Sequence, residues 1–220
     1  MAVIRVAGAS FSPDEKRVLF SSNQSGIFNA YSVPVAGGSA AQLTRSTTDT
    51  TYAVSYFPSD ERILYTRDSG GDENNHLYVR GQDGKERDLT PAAEGKKLKA
   101  AFVRWSGDDR SFFVRTNERE PRFFDLYRYD AATYARSLVY ENAGGLEIGD
   151  VSRDGRWVAL DKPNTTLDSD VYLYSVATKE VKHLTPHQGQ VAFETAAFDP
   201  AGSALYFLTD EGGEFKFVRR

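Results

Sequence analysis

The sequence predicts an all-β fold, a β-propeller of four-stranded antiparallel blades, of which about four and a half are present. The first observation is a ten-residue pattern, FSPDEKRVLF, in which an aromatic anchor precedes a polar turn and a β-rich run. The second is its return at intervals of 45, 49, 46 and 47 residues, with anchors at Phe11, Tyr56, Trp105, Val151 and Phe198. Self-similarity at this period is typical of propeller blades.

Each repeat has the same internal order of elements. After the first hairpin, a polar loop leads to a third strand, and a tight turn leads to a short closing strand. In the first repeat, Pro13 and Asp14 form the first turn, Ile27 to Val35 the third strand, and Gly37-Gly38 the second turn. Closing leucines lie 46, 49 and 46 residues apart, at Leu43, Leu89, Leu138 and Leu184. The pattern predicts blades at about 6–45, 51–91, 98–142, 146–187 and 193–220, the last truncated, with no catalytic domain in these residues.

A single blade cannot bury both of its faces, so blades stabilise one another. We therefore expect anchors such as Trp105 and Phe198 to be core residues between blades. An arc of this length leaves sheet edges exposed, which predicts that the chain is a fragment of a longer protein. The alternatives are edge-to-edge self-association, or closure by an N-terminal strand around Val3 to Val6.

Composition excludes several classes of protein. The net charge is −4 and there is no basic run, so we expect neither a nucleic-acid partner nor an anionic membrane surface. The chain has no cysteine, which excludes disulfides and thiolate metal sites. It also has no apolar run of about 20 residues, so no membrane-spanning segment is expected. Residues 1–5 lack the features of a secretory signal, which favours the cytoplasm over the periplasm.

The sequence predicts no catalytic or cofactor-binding residue. A Gly-x-Ser-x-Gly nucleophile elbow is absent, and the nearest string, GGSAA at residues 37–41, lies where a blade turn is expected. Phosphate-cradling glycine patterns are also absent. The glycine pairs at 70–71, 144–145 and 212–213 are interpreted as turns, as are Asp108, Asp109, Asp150 and Asp154.

Three groups of polar residues are candidate sites. His183 and His187 have the spacing of helical metal ligands, but Pro186 argues against a helix and favours surface or turn histidines; His76 has no neighbouring partner in sequence. An acidic loop with oxygen ligands for calcium would use Asp68, Asp72 and Glu73, whose irregular spacing favours a solvated loop instead. A third group of arginines surrounds Glu118 and Glu120: Arg115, Arg119, Arg122 and Arg128.

The arginine group has two interpretations. Arginines can bind a peptide carboxylate bidentately. Charged residues on a blade edge can also discourage stray strand pairing, and this interpretation is favoured. The sequence therefore predicts no metal ion and leaves substrate-binding residues unknown.

With the repeats laid out, a family resemblance can be stated. FSPDEKRVLFSS, with the following NAYSVPVAGG and QLT, resembles the propeller repeat of TolB-like proteins. It also resembles the N-terminal propeller of prolyl-oligopeptidase-family serine peptidases. SDVYLYSVATKEVKHLTPH and ALYFLTDEGGEF look more like the bacterial peptidase branch, which includes dipeptidyl- and acylaminoacyl-peptidases.

The peptidase resemblance implies a propeller that filters peptides before they reach an α/β-hydrolase domain. The Ser-His-Asp triad of that domain would lie beyond Arg220, so no catalytic residue is carried over. The paired glutamates that grip a substrate amino terminus have no convincing match, since Glu211 and Glu214 are separated by two glycines. The alternative function is a TolB-like interaction propeller of the bacterial periplasm. A propeller that binds a glycan or another small ligand is a third hypothesis, because DGRW at 154–157 faintly resembles a sialidase aspartate box with altered spacing.

Overall fold

The computed structural model describes residues 3–93 and 95–220, which form strands, turns and loops without a helix. Its strands form five antiparallel sheets, in each of which strands that are consecutive in sequence lie side by side. The predicted all-β propeller-blade architecture is confirmed. The chain divides into two compact units, residues 1–102 and 103–220.

The first two sheets contain four strands each. Blade 1 consists of β1 (Val6–Phe11), β2 (Arg17–Ser22), β3 (Asn29–Pro34) and β4 (Ala41–Gln42). Blade 2 consists of β5 (Thr51–Phe57), β6 (Asp60–Arg67), β7 (His76–Arg80) and β8 (Glu86–Asp88).

Three further sheets follow, and the boundary between the two units falls within the first strand of blade 3. Blade 3 contains β9 (Ala100–Trp105), β10 (Ser111–Glu120), β11 (Phe123–Asp130) and β12 (Arg136–Tyr140). Blade 4 contains β13 (Glu147–Val151), β14 (Trp157–Thr165), β15 (Asp168–Ser175) and β16 (Val181–His183). The fifth sheet, blade 5, has three strands: β17 (Phe193–Phe198), β18 (Leu205–Thr209) and β19 (Phe217–Arg219).

A serine and an aspartate two residues later shape the first turn of three blades. The hydroxyl of Ser152 donates to Asp154 Oδ1 at 2.6 Å and accepts the Trp157 N–H at 3.0 Å. Ser12 with Asp14, and Ser106 with Asp108, make the same pair of contacts. The residue after the aspartate is left-handed, with φ of 57° at Glu15, 58° at Asp109 and 72° at Gly155. These short side chains satisfy turn backbone groups that strand pairing leaves unpaired.

The prediction that the repeat anchors are core residues holds for some of them and is wrong for one. Tyr56, Val151 and Phe198 are buried, and Trp105 is half-buried against Phe112. Phe11 is 61% exposed. The Tyr56 hydroxyl lies 2.7 Å from Ser32 Oγ of the preceding blade, which shows why. Tyr56 and Val151 each pack on the preceding sheet of their own unit, whereas Phe11 lies in β1 with no buried cluster around it among the described residues.

One closing landmark was misplaced. Leu138 is 46% exposed, and the residue that pairs with the buried Leu126 is Tyr140. A register shift of one residue between Leu126 and Tyr127 places Tyr140 opposite Leu126, while Leu138 pairs with Tyr127. Tyr140 fills the core there and packs edge-on against Tyr174 of blade 4, with ring centroids 4.9 Å apart.

Asp150 was predicted to be a turn residue, and this prediction is wrong. It lies in β13 and accepts two contacts from neighbouring blades: Arg104 Nη1 lies 2.8 Å from Oδ2, and the Phe198 N–H donates to the same oxygen at 2.8 Å. Arg104 also donates to the Val151 carbonyl at 2.8 Å. One carboxylate therefore links blades 3, 4 and 5. In blade 1 the equivalent residue, Ser10, accepts the N–H of the next anchor, Tyr56, at 3.1 Å.

We expect Asp150→Asn to lower the free energy of unfolding by about 2 kcal/mol, since it weakens a largely buried ion pair and leaves part of the Arg104 guanidinium unpaired. Denaturant melts of the two proteins measure this difference. The matched control is Glu120→Gln, which breaks the pair with Arg122, a side chain 74% exposed. That loss is expected to stay below about 1 kcal/mol. Equal losses in both variants would contradict the linking role of Asp150.

Candidate functional site

A polar residue recurs near the start of the third strand of the first four blades. It comes immediately before a buried apolar residue, and in three of these blades the N–H of that apolar residue donates to a side chain of the closing segment. The four residues are Asn29, His76, Asp125 and Asp170. In blades 1, 2 and 4 a threonine hydroxyl from the closing segment accepts that N–H at 2.9 Å. In each of these blades the recurring polar side chain bonds to the closing segment of the same blade.

In blade 4 this position forms the centre of a cluster of histidines and carboxylates. Asp168 and Asp170 are alternate residues of β15, and such residues point to the same side of a strand. His183 Nε2 lies 2.7 Å from Asp170 Oδ1, and His187 Nε2 lies 2.8 Å from Asp168 Oδ1. Asn164 donates to Asp170 Oδ2 at 2.9 Å. The cluster thus joins the second hairpin of blade 4 to the loop that leads into blade 5.

Both ring nitrogens of His187 face hydrogen-bond acceptors, an arrangement that favours the doubly protonated ring. Nδ1 lies 2.9 Å from the Thr185 carbonyl oxygen, and Nε2 faces the Asp168 carboxylate, so both partners are acceptors. The hydrogen bonds to Thr185 and Asp168 raise the pKa of His187 above 6.5. The hydrogen bond to His187 in turn lowers the pKa of Asp168. Burial opposes ionisation of Asp170, but hydrogen bonds from Asn164 and His183 outweigh it and lower its pKa.

The interpretation of the histidines as surface or turn residues is therefore wrong for His187. Only 8% of its side chain is exposed, and its ring packs against Phe193 with centroids 5.2 Å apart. His183 is about one-third exposed and stacks on Tyr172 at 4.4 Å. His76, which has no partner nearby in sequence, bonds through Nδ1 to Asp88 at 2.8 Å. The pairing was visible in sequence only as the Asp-x-Asp alternation at the start of a strand.

In blade 3, three of the four arginines in the charged stretch have side-chain partners within the blade. Arg119 makes two hydrogen bonds of 2.8 Å to the fully buried Asp125. Arg122 bonds to Glu120 at 2.9 Å, and Arg128 donates to Ser111 Oγ at 2.7 Å. These contacts fit structural roles. Arg115 differs, because its contacts are the Ile148 carbonyl at 3.2 Å and the face of Phe124.

Arg115 lines a cavity of about 300 Å³ between blades 3 and 4. Half of its wall is apolar and half is polar; the lining residues include Phe123, Phe124, Leu146, Ile148, Arg122 and Glu147. Ligand pockets combine apolar walls with a few convergent polar groups, and this cavity has that composition. Sequence reasoning identified Arg115 and Arg122 but missed the apolar wall, because its residues come from strands in two repeats.

Unit 1 contains a larger and more open cavity of about 570 Å³, lined mainly by polar side chains such as Arg45, Arg80 and Glu86. It lacks the apolar wall of a typical ligand pocket.

In the nearby acidic loop, the carboxylates bond to their own surroundings. Asp68 accepts the Thr50 N–H at 2.6 Å, and Asp72 accepts the N–H groups of Ser69 and Asn74. Hydrogen bonds, led by the Asn74 side chain, lower the pKa of Asp72 to about 2. Among the residues that the structure describes, no group of three or more His, Asp or Glu side chains is arranged to hold a metal ion.

The three histidines bond to carboxylates and to one carbonyl, and in the described residues none bonds to a serine or threonine hydroxyl. Glu211 forms an ion pair with Arg219 rather than facing Glu214. Within residues 3–93 and 95–220, no helix is long and apolar enough to cross a membrane. Two polar features therefore stand out in unit 2: the charged cluster of blade 4 and the arginine-lined cavity between blades 3 and 4.

Comparison with known proteins places this fold in a family. Residues 44–219 match the family described as the N-terminal β-propeller domain of prolyl oligopeptidase. The chain belongs to this family. Over 140 aligned residues the chain is 33% identical to a curated relative, the dipeptidyl aminopeptidase BIII of Pseudoxanthomonas mexicana. That alignment covers 62% of this chain and 20% of the relative, so the chain spans about a fifth of the relative's length.

Solved structures agree with the propeller fold. A structure from work on two prolyl endopeptidases aligns with a TM-score of 0.70 at 18% identity, covering 98% of this chain and 34% of the other. TolB from Acinetobacter baumannii aligns with a TM-score of 0.58 at 17% identity, covering 98% of this chain and 56% of the other. At these identities the two structures support the fold alone.

The His187 cluster predicts a specific pH dependence of stability. A histidine whose pKa is raised on folding stabilises the protein fully below its unfolded pKa, near 6.5, and the stabilisation is lost as the pH rises through the folded value. We therefore expect the melting temperature of the protein to exceed that of His187→Gln at pH 6, by about 2–4 °C. The difference should shrink as the pH is raised to 9.

Asp168→Asn is the partner variant for this measurement. The single variants and the double variant form a cycle in which the two substitutions are non-additive at pH 6 and additive at pH 9. A difference between the protein and His187→Gln that stays constant from pH 6 to pH 9 would contradict the pairing.

Proposed function

We propose that this chain is the propeller part of a serine peptidase whose α/β-hydrolase domain belongs to the same longer protein. In this role the propeller limits access of peptides to the hydrolase domain and performs no catalysis itself. The observation that carries the proposal is the family match over residues 44–219. The 33% identity to a dipeptidyl aminopeptidase supports a peptide as the substrate.

The geometry of unit 2 is compatible with a selective gate. Access can be limited only by a scaffold that keeps its shape, and the contacts of Asp150 and Arg104 fix blades 3, 4 and 5 to one another. His187 has both ring nitrogens engaged, by the Thr185 carbonyl and by the Asp168 carboxylate, which leaves neither free to activate a hydroxyl nucleophile. Recognition by binding, with chemistry elsewhere, is the function that these contacts support.

A second candidate is an interaction propeller like TolB that binds protein partners without a peptidase domain. Its support is the similarity to TolB from Acinetobacter baumannii. That similarity extends to the fold only, because the identity is 17%. The peptidase proposal is favoured, since it also draws on the family match and on a curated relative.

Two measurements on the natural parent protein test the proposal. Intact mass should exceed the 24.5 kDa of this chain by at least the mass of a hydrolase domain, and a fluorophosphonate probe should label an active-site serine. The isolated chain should show no turnover of aminoacyl or peptide substrates above the buffer rate. Heat-inactivated parent protein is the control for non-specific labelling.

Other outcomes contradict the proposal. A propeller-sized parent that the probe does not label would favour the TolB-like alternative. Turnover by the isolated chain, at a rate proportional to its concentration, would exclude a purely gating role.

A further inference from the structure

The cavity beside Arg115 combines a cation with an apolar wall. The guanidinium carbon of Arg115 lies 5.7 Å from the centroid of the Phe124 ring, which supports one face of the planar group. Leu146 and Ile148 supply aliphatic wall from the loop before blade 4 and from β13. At about 300 Å³, the cavity is at the small end of the range for ligand pockets. It has room for about one amino-acid residue rather than an extended peptide.

Arg115 has unused capacity to donate hydrogen bonds. A guanidinium carries five N–H donors, and one of them bonds to the Ile148 carbonyl. No carboxylate lies within ion-pair distance of Arg115 in the described part of the chain. The neighbouring Arg122, by contrast, pairs with Glu120. A half-buried cation without a counterion gains most from binding an anion, because its charge is poorly screened by water.

At the equivalent position of two other blades, a smaller side chain also bonds to a backbone group of the next blade. Ser21 and Asp161, like Arg115, lie ten residues after their anchors. Ser21 Oγ accepts the Ala53 N–H at 2.8 Å, and Asp161 Oδ1 accepts the Thr195 N–H at 2.9 Å. Each thus bonds one backbone group of the next blade, as Arg115 does. The link between the two blades uses one N–H donor of Arg115. It does not explain why this position carries a guanidinium with four further donors.

The loop at the cavity mouth is held close to the aromatic wall. Gly145 has φ of 70°, and a Cβ on it would lie 3.0 Å from Phe123 Cε1. Asn142 Oδ1 accepts the Gly145 N–H at 3.0 Å and holds this conformation. The polar groups on the rim are Arg122 and the exposed Glu147. The carboxylate of Glu147 disfavours ligands with several negative charges, so a monoanion fits best.

We propose that this cavity binds the terminal carboxylate of a short peptide whose last side chain is apolar. Two N–H groups of the Arg115 guanidinium donate to the two oxygens of the carboxylate. The apolar side chain of the last peptide residue lies among Phe123, Phe124, Leu146 and Ile148. The proposed function contributes only the identification of a peptide as the source of the carboxylate. A free apolar monocarboxylate has the same anchoring chemistry and is distinguished by the experiment.

The test measures binding to this chain by titration calorimetry and by NMR shift perturbation. The probes are N-acetyl-Ala-Phe, its C-terminal amide, and 3-phenylpropionate. We expect the free acid to bind at least tenfold more tightly than the amide, because the amide has no charge to pair with Arg115. Tighter binding of N-acetyl-Ala-Phe than of 3-phenylpropionate identifies a peptide, and the reverse order identifies a free carboxylate and overturns the peptide source.

Variants separate the carboxylate contact from the structural link. Arg115→Met should abolish the preference for the acid over the amide, and Arg115→Lys, which keeps the charge but not the fork, should retain part of it. Arg156→Met is the matched control, since it removes an exposed arginine that is paired with Asp154 in another turn of unit 2. The control should bind the free acid like the unsubstituted chain. Melting curves verify that each variant is folded.

Three results would overturn the proposal. The first is that the free acid shows no saturable binding up to about 10 mM, which is the range of very weak sites. The second is equal affinity for the acid and the amide, and the third is an unchanged preference for the acid in folded Arg115→Met. If Arg115→Met fails to fold, the acid-to-amide ratio of Arg115→Lys decides. None of these measurements depends on a hydrolase domain. The carboxylate site and the gating function can therefore fail separately, the latter through the mass and labelling of the parent protein.

Discussion

Packing of each sheet against the sheet before it is the interaction on which the structure of each unit depends. A four-stranded sheet with apolar residues on both faces cannot bury them alone. In unit 1 one buried cluster joins Leu19 and Ala30 of blade 1 to Tyr56 and Ile63 of blade 2. In unit 2 a similar cluster joins Phe113 and Leu126 of blade 3 to residues of blade 4, including Val151, Val158 and Leu160. Polar contacts such as those of Asp150 then fix the rotation of one sheet on the next.

The same stacking explains where binding chemistry can arise. The central residues of the strands are buried in apolar contacts between sheets. In blade 4 the polar side chains lie instead between the second hairpin and the loop that leads to the next blade. Blade 4 uses that place for a closed network, in which His187 and two carboxylates satisfy one another. In the cavity between blades 3 and 4, Arg115 contacts a carbonyl and a ring, and none of the described carboxylates pairs with it. The first network is satisfied within the fold, whereas Arg115 retains free hydrogen-bond donors.

The sequence was sufficient to predict the blades because their period and turn residues are local signals. Register within a blade was less predictable: Leu138 had the right spacing, but a bulge gave its role to Tyr140. Burial depended on neighbours, so identical anchor positions hold a buried Tyr56 and an exposed Phe11. The site could not be assembled from sequence, since Arg115 and Ile148 are 33 residues apart and meet only through the stacking of two sheets. The partners of His187 were missed for a different reason, since they lie across a hairpin of the same blade.

The consecutive order of strands in every sheet has a consequence for folding. Each strand pairs with the strand just before or just after it in the chain, so its contacts close short loops at low entropic cost. Topologies rich in such local contacts fold faster than all-β folds with distant pairings. A blade can therefore form its hydrogen-bonded ladder soon after it leaves the ribosome and then serve as the surface on which the next one condenses. Consecutive pairing thus allows the blades to assemble in the order in which they are synthesised.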